Sequence, residues 1–220
     1  MRPGDDGSEG LVDQGSPFEA KLIATDYLRA FAELLQLLDL GAVERTVECL
    51  RRVRDADGTV YVAGNGGSAA TASHWANDLG KATKASSRAF MRAMCLSDNV
   101  SWLTALANDE GYDRVFSGQL ENFAGPGDVF VAISASGSSA NLIEAVELAR
   151  ERGVVTIGLV GFDGGDLKGL VDECLWLPTE RGQYGLVESG HAVVCDILTT
   201  CLMQDLAMPA ASHETTDADA

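Results

Sequence analysis

Two loops in the sequence carry clustered glycine and serine residues, each between an apolar run and a helical pattern. The first reads GNGGS at residues 64–68, and the second reads SASGSS at residues 134–139. Glycine lets a backbone approach an anion closely, serine adds hydroxyl donors, and the N-terminus of a following helix offers unpaired N–H groups. The pattern therefore predicts a phosphate site. In the second loop, the side chains that could donate to this phosphate are Ser134, Ser136, Ser138 and Ser139.

Helix capping and dinucleotide binding are the alternatives to a phosphate site in these loops. Serine caps helices, and the second loop precedes a helix that starts near Ala140. Gly64, Gly66 and Ala69 match the dinucleotide fingerprint G-x-G-x-x-G/A. That fingerprint requires an acidic residue roughly 20 residues further on, at the end of the second strand, and residues 84–88 contain no carboxylate. The fingerprint does not explain the second loop, and capping alone is less favoured when both loops are counted, so phosphate binding is the favoured interpretation.

The loops belong to a repeated alternation of apolar strands and helices that begins at Thr59. Five short strands separated by helices predict an α/β fold with a doubly wound parallel sheet, covered by helices on both faces. Ligands in such sheets bind beyond the carboxyl ends of the strands, where both loops fall. The five strand segments are TVYVAG, FMRAMCL, DVFVAIS, VTIGLVG and ECLWLP, and a long helix from about Tyr184 to Leu206 follows the last.

An N-terminal helical stretch precedes the sheet. Residues 17–55 have helical spacing with a break at Gly41, which predicts two helices or one interrupted helix. Because other helices already cover the sheet, we expect this apolar face to pack against other subunits. The chain thus divides into a single domain at 17–207 between two disordered acidic tails, 1–16 and 208–220. The residues of the apolar face are Leu22, Tyr27, Phe31, Leu34, Leu35 and Leu38.

Composition excludes several classes of protein. A net charge of −17 with no basic stripe argues against nucleic acid as a partner. The apolar runs are shorter than the roughly 20 residues of a membrane span, so we expect no membrane partner. The acidic N-terminus lacks the apolar centre of a secretory signal, which predicts a cytoplasmic protein. The five cysteines form no CxxC pair and are expected to be reduced thiols.

Four motifs together resemble a known family. GNGGSAATASHWANDL, LTALANDEGYD, ISASGSSANLIEA and GLVGFDGG occur in the order seen in the sugar isomerase (SIS) family, and the resemblance is greatest to its phosphoheptose isomerases. The resemblance implies a flavodoxin-like five-stranded sheet and a homotetramer with active sites between subunits. It also implies a zinc ion and the aldose–ketose isomerisation of D-sedoheptulose 7-phosphate to D-glycero-D-manno-heptose 7-phosphate.

The resemblance also implies which residues form the site. His74 and Asp78 match two metal ligands of the family, and their spacing of four residues places them on one side of a helix. Asp78 is then the catalytic base, with His191 or Asp196 handling the proton on oxygen. The implied metal ligands are His74, Asp78, Glu188 and Asp196, and the implied substrate-binding residues are Asn65, Gly66, Gly67, Ser68, Asp109, Ser134, Ser136 and Ser139.

Three of these positions differ from the family pattern. The family has glutamate, glutamine and histidine where this chain has Asp78, Glu188 and Asp196. A carboxylate-rich set suits manganese or magnesium as well as zinc. In addition, Gly185 and Leu186 stand at about the places of an acidic and a basic residue near the substrate.

These differences leave two alternatives to a phosphoheptose isomerase. One is an isomerase of another sugar phosphate. The other is a catalytically silent SIS protein that binds a phosphosugar or a partner protein. Convergence of the three altered carboxylates would favour the enzyme.

Overall fold

The structure, a computed structural model, describes residues 19–85 and 90–207. The two acidic tails predicted at 1–16 and 208–220 lie outside these residues. Within the described residues, five strands form one sheet in the order β2-β1-β3-β4-β5, with every neighbouring pair parallel. The predicted doubly wound parallel sheet is confirmed. The strands are β1 Thr59–Gly64, β2 Arg92–Cys95, β3 Val129–Ser134, β4 Val155–Val160 and β5 Glu173–Trp176.

Helices cover both faces of this sheet. One face packs against α1, α2, α3 and α8, and the other packs against α4, α5, α6 and α7. A short 3-10 turn, Thr83–Ala85, follows α3. The helices are α1 Ala20–Leu35, α2 Leu40–Asp55, α3 Gly67–Ala82, α4 Val100–Asp109, α5 Arg114–Phe123, α6 Ala140–Glu151, α7 Leu167–Leu170 and α8 Tyr184–Ala207.

The strand register brings the two glycine-serine loops together. Gly64 at the end of β1 pairs with Ile133, the residue before the end of β3. Ser134 in turn pairs with Val160 at the end of β4. Because all strands run in the same direction, the loops that follow them emerge side by side at the carboxyl edge.

The N-terminal stretch forms two helices whose break differs in position from the prediction. The chain leaves the first helix at Gln36, and Asp39 caps the second by accepting a 2.9 Å hydrogen bond from the Gly41 amide. Gly41 therefore lies in the first turn of α2. Part of the predicted apolar face is buried at Leu34 and Leu38, whereas Leu22 is 54% exposed.

One helix, α5, is absent from the sequence prediction, which has a single helix between β2 and β3. Its middle residue is Gly118, where a Cβ would come within 2.8 Å of the Leu106 side chain in α4. Glycine is unfavourable within a helix by itself, but here it lets α4 and α5 pack closely. Val115, Phe116 and Leu120 form the buried face of α5.

The long C-terminal helix lies within the domain. Between Tyr184 and Leu206 it has the length and composition of a membrane span, yet half of its most apolar part is buried inside the protein. Val187, Val194 and Leu198 are almost fully buried. The helix is therefore the core helix against which α1, α2 and α3 pack. The five cysteines are free thiols, two of them buried.

A buried ion pair joins the ends of α2 and α8. The Arg54 side chain is 1% exposed and donates 2.9 and 2.8 Å hydrogen bonds to Asp205 and Asp55. We predict that Arg54→Ala lowers the free energy of unfolding by about 3 kcal/mol, because it breaks a desolvated charge pair. Urea denaturation at constant m-value measures the change.

Arg52→Ala provides the matched control in the same helix. The Arg52 side chain is 74% exposed and pairs with Glu48 at the surface. Its removal is expected to cost about 0–1 kcal/mol. Equal destabilisation by the two variants would contradict a structural role for the buried pair.

Candidate active site

The serine loop after β3 is a tight turn held by its own hydroxyls. Ser134 is buried, and its Oγ accepts a 3.0 Å hydrogen bond from the Gly137 amide. The Ser136 hydroxyl accepts a 3.3 Å bond from the Ser138 amide. Gly137 has φ +65°, and a Cβ there would overlap the carbonyl of Gly164. Only glycine therefore fits at this point of the turn.

The helices that follow the two loops begin without a side-chain cap. Ser139 occupies the N-cap of α6 but makes no capping bond, and its hydroxyl lies 3.4 Å from that of Ser134. Gly66 stands at the N-cap of α3. By contrast, Asp39 and Asn99 cap the starts of α2 and α4. The two site helices thus present N-terminal amides without a side-chain partner, as an anion site requires.

A polar network links the loops to the LTALANDEGYD motif. The side chains of Asn65 and Asn141 exchange hydrogen bonds of 3.0 and 2.9 Å. Tyr112 donates a 2.9 Å bond to Asn65 Oδ1. The sequence prediction included Asn65 but missed Tyr112 and Asn141, although both lie within motifs of the family. Asp109, the last residue of α4, is exposed and accepts a 2.7 Å bond from Asn108.

Three of the predicted metal-site residues line one small cavity between α3 and α8. The cavity has a volume of about 200 Å³ and is lined by His74, Asp78 and Asp196 among others. His74 Nε2 lies 3.3 Å from Asp78 Oδ2. The Asp78 side chain is 29% exposed, and Asp196 is exposed. Of the three altered carboxylates, Asp78 and Asp196 thus line the same cavity.

Glu188, which belongs to α8, lies against the start of α3. A Cβ built on Gly67 would fall on the Glu188 carboxylate. Gly67 thus makes room for a charged group beside the first turn of α3. Glu188 does not line the cavity that holds Asp78 and Asp196. Among the described residues, no three His, Cys, Asp or Glu side chains already cluster closely enough to hold a metal ion.

His191 is placed in the core rather than in this cavity. It is 1% exposed, and neither ring nitrogen has a hydrogen-bond partner among the described residues. Burial lowers the pKa of His191 to about 4. The imidazole is therefore neutral near pH 7.

Cys195 lies beside the acidic cavity but is not a reactive thiol. Burial raises its pKa well above the usual range, and the charges of Asp196 and Asp78 raise it further. A thiol held protonated in this way is a poor nucleophile and a poor metal ligand. The chemistry of the cavity thus depends on the imidazole and the carboxylates.

Comparisons with known proteins identify the family of the chain. Two models of the SIS domain match, one at residues 26–161 and the other at residues 116–207. The chain belongs to the SIS domain family.

Two of its relatives show how much of the chain is shared. The phosphoheptose isomerase of Geobacter sulfurreducens is 41% identical over 180 residues, which cover 79% of this chain and 94% of the relative. A probable phosphoheptose isomerase of Thermoplasma volcanium is 38% identical over 195 residues, covering 86% and 97%.

Solved structures of SIS proteins have the same fold. The phosphoheptose isomerase of Neisseria gonorrhoeae superposes with a TM-score of 0.75 at 33% identity, covering 84% of this chain and 96% of that one. A phosphoheptose isomerase from Francisella tularensis has a TM-score of 0.76 with the same coverages, and at 24% identity it shows the fold alone.

The contact between Gly67 and Glu188 leads to a prediction. Gly67→Ala would place a methyl group on the Glu188 carboxylate and displace it from the start of α3. We expect phosphosugar affinity or turnover to fall at least tenfold, a change of about 1.4 kcal/mol. Gly80→Ala is the matched control, because a Cβ at that position of α3 meets nothing within 4 Å. Equal activity of the two variants would show that the Glu188 position is unimportant.

Proposed function

We propose that this protein is an isomerase that converts D-sedoheptulose 7-phosphate to D-glycero-D-manno-heptose 7-phosphate. The observation that carries the proposal is the arrangement of α3, which begins at the glycine-serine loop and carries Asp78 into a cavity shared with Asp196. One helix thereby joins a phosphate site to a carboxylate base. The relatives named phosphoheptose isomerase support the choice of a seven-carbon sugar phosphate.

The phosphate end of the site consists of hydroxyls and amides. In the proposal, Ser68, Ser134, Ser136 and Ser139 donate to the phosphate together with the first turns of α3 and α6. Asn65, Gly66 and Gly67 shape the first loop, and Asp109 orients sugar hydroxyls. Charge-assisted hydrogen bonds of this kind contribute about 1.5–3 kcal/mol each. The substrate is thus held by its phosphate while its carbonyl end reaches the acidic cavity.

The acidic end performs the proton transfers. Aldose–ketose isomerisation removes a proton beside the carbonyl and returns it one carbon away, with an enediolate between. Asp78 is the proposed base, since its half-buried carboxylate lies next to His74. Asp196, in the same cavity, is the proposed partner for the oxygen proton. His191 is the second candidate from the sequence, but it is buried in the core and does not line the cavity.

We also propose a divalent metal, with zinc first and manganese or magnesium as alternatives. The 3.3 Å between His74 Nε2 and Asp78 Oδ2 suits two ligands of one ion, because tetrahedral bonds of about 2.1 Å set ligand atoms roughly 3.4 Å apart. Asp196 is the third proposed ligand, and Glu188 would have to turn away from Gly67 to join them. When bound, the ion would polarise the carbonyl and stabilise negative charge in the transition state.

A homotetramer with sites between subunits is part of the proposal. Its support is apolar surface that the single chain leaves uncovered on α1, where Ile23 and Leu28 are 55% and 67% exposed. A groove of about 980 Å³ beside α2 and α8 offers a second apolar surface, which includes Val43, Val47 and Ile197. The cytoplasmic location remains a prediction.

One observation keeps the silent binding protein as a second candidate. Glu188 lies against Gly67 instead of sharing the cavity of the other carboxylates. In that case the serine loops would bind a phosphosugar without turnover. Incubation with D-sedoheptulose 7-phosphate, with and without zinc, manganese or magnesium, followed by NMR analysis of the products, separates the two functions. An aldoheptose phosphate product supports the isomerase, and binding without product supports the silent form.

The role of Asp78 is tested by solvent-proton exchange. Asp78→Asn preserves size but removes the base, so deuterium exchange into the substrate carbon should slow by about 10²–10⁴ while substrate binding persists. Asp57→Asn serves as the control, because Asp57 is 83% exposed and follows α2. Exchange at the parental rate in Asp78→Asn would assign the base to another residue, with His191 next.

The metal proposal predicts ligand-linked stabilisation. An ion present at about 100 times its Kd adds about 2.7 kcal/mol, which raises the Tm of a 150–250-residue protein by roughly 5–10 °C. His74→Ala should lose both this shift and the bound metal measured by atomic absorption. Lys81→Ala, an exposed change in the same helix, should retain both. Identical metal content in the parent and His74→Ala would overturn the assignment of His74 as a ligand.

A further inference from the structure

Tyr112 connects the loop between α4 and α5 to the first glycine-serine loop. Its hydroxyl donates a 2.9 Å hydrogen bond to Asn65 Oδ1, although the side chain belongs to a segment 47 positions further along the chain. The residue is 56% exposed, so packing fixes it only in part. The hydrogen bond is therefore its main specific contact with the site.

Asn65 in turn connects the two loops. Its Nδ2 donates to Asn141 Oδ1 at 3.0 Å, and Asn141 Nδ2 donates to Asn65 Oδ1 at 2.9 Å. Asn141 is 2% exposed and lies in the first turn of α6, directly after the serine loop. The three residues thus join three separate segments around the site for the phosphate.

The hydrogen-bonding capacity of Asn65 is almost used up within this network. A side-chain amide has two N–H donors and one oxygen with two lone pairs. The oxygen of Asn65 accepts from both Tyr112 and Asn141, and one N–H is given to Asn141. One N–H remains. Asn65 therefore meets a bound ligand as a hydrogen-bond donor, which suits an anionic phosphate or a sugar oxygen.

The reciprocal amide pair alone does not fix this orientation. If both amides turned over together, the two bonds between Asn65 and Asn141 would be preserved. The Tyr112 hydroxyl, which can accept as well as donate, would then accept from Asn65 Nδ2, and both N–H groups of Asn65 would be used within the network. Only the present orientation, in which Tyr112 donates to Asn65 Oδ1, leaves an N–H group of Asn65 free to donate to an anionic ligand.

We infer that Tyr112 is a positioning residue of the sugar-phosphate site, whose hydroxyl orients the Asn65 amide so that its remaining N–H points to the ligand. Tyr112 acts through Asn65 and also ties the α4–α5 loop to both glycine-serine loops. The inference rests on the proposed function only in taking a sugar phosphate as the ligand.

A double-mutant cycle tests this inference. Calorimetry measures the Kd of D-sedoheptulose 7-phosphate and of inorganic phosphate for the parent, Tyr112→Phe, Asn65→Ala and the double variant. We expect Tyr112→Phe to weaken binding of the sugar phosphate about three- to tenfold, the size of one hydrogen bond. In the Asn65→Ala background the same change should have no further effect, because residues that act through one another are not additive.

Tyr61→Phe is the matched control. It removes a hydroxyl whose 3.2 Å bond goes to the Phe123 carbonyl, away from the loops. We expect its effect on ligand affinity to be negligible and the same in both backgrounds. Thermal unfolding of every variant verifies that the differences in Kd do not come from loss of the fold.

The outcomes separate this inference from the proposed function. An unchanged Kd in Tyr112→Phe, or an equal loss with and without Asn65, would overturn the positioning role. A parent that binds neither probe would overturn it together with the phosphate site. A parent that binds and shows the coupling but forms no aldoheptose phosphate would retain the role of Tyr112 and refute the isomerase.

Discussion

The packing of α3 against α8 is the constraint on which the site depends. The Trp75 side chain is 1% exposed, and its Nε1 donates a 3.1 Å hydrogen bond to Thr199 Oγ1. The Thr199 hydroxyl donates in turn to the Cys195 carbonyl at 2.9 Å. A large buried ring with a satisfied polar atom fixes both the distance and the axial position of two helices. Because Asp78 and Asp196 flank this contact, their approach follows from it.

The same packing explains why glycines and small residues occur along these helices. Glu188 fits beside the start of α3 only because residue 67 has no side chain. Gly64 similarly lets the end of β1 approach the backbone of Ser68. A Cβ on residue 64 would stand 2.6 Å from the carbonyl carbon and oxygen of Ser68. These close approaches bring the first loop, the N-terminus of α3 and the α8 carboxylate into one region. In the proposed site the loop backbone binds the phosphate, and α3 and α8 together supply the acids.

The sequence predicted the elements of the fold better than their contacts. The five strands were recognisable because each is an apolar run of four to six residues bounded by turn residues. Helix α5 was missed because Gly118 weakens its helical pattern. A glycine fits there because the Leu106 side chain of α4 packs against that position. The break at residues 36–39 was misplaced because an Asp39 cap, and not Gly41, starts α2.

The site was predictable to the extent that it is encoded locally. Glycine and serine near strand ends identify the loops, since the chemistry of an anion site depends on residue types and on helix termini. The contribution of Tyr112 depends on a bond between segments 47 positions apart, which no local pattern contains. Likewise, spacing places His74 and Asp78 on one helix side, but only the packing of α8 determines that Asp196 joins them and Glu188 does not.

Charge balance is the remaining physical requirement of this arrangement. Asp78 and Asp196 share one small cavity. Glu188 lies nearby on the same helix as Asp196, and a phosphate would add a further negative charge. Asp196 is exposed, so water screens part of the repulsion between these carboxylates, and a cation between them would offset the rest.

The described residues that line the cavity include no lysine or arginine, and His191, with its pKa lowered to about 4, stays neutral near pH 7. His74 is the one basic side chain among the described residues that line it. A divalent ion would satisfy this requirement, as would a basic side chain from a second copy of the chain. The excess of acids is thus a physical argument for a cation at the cavity, which the proposed metal ion would supply.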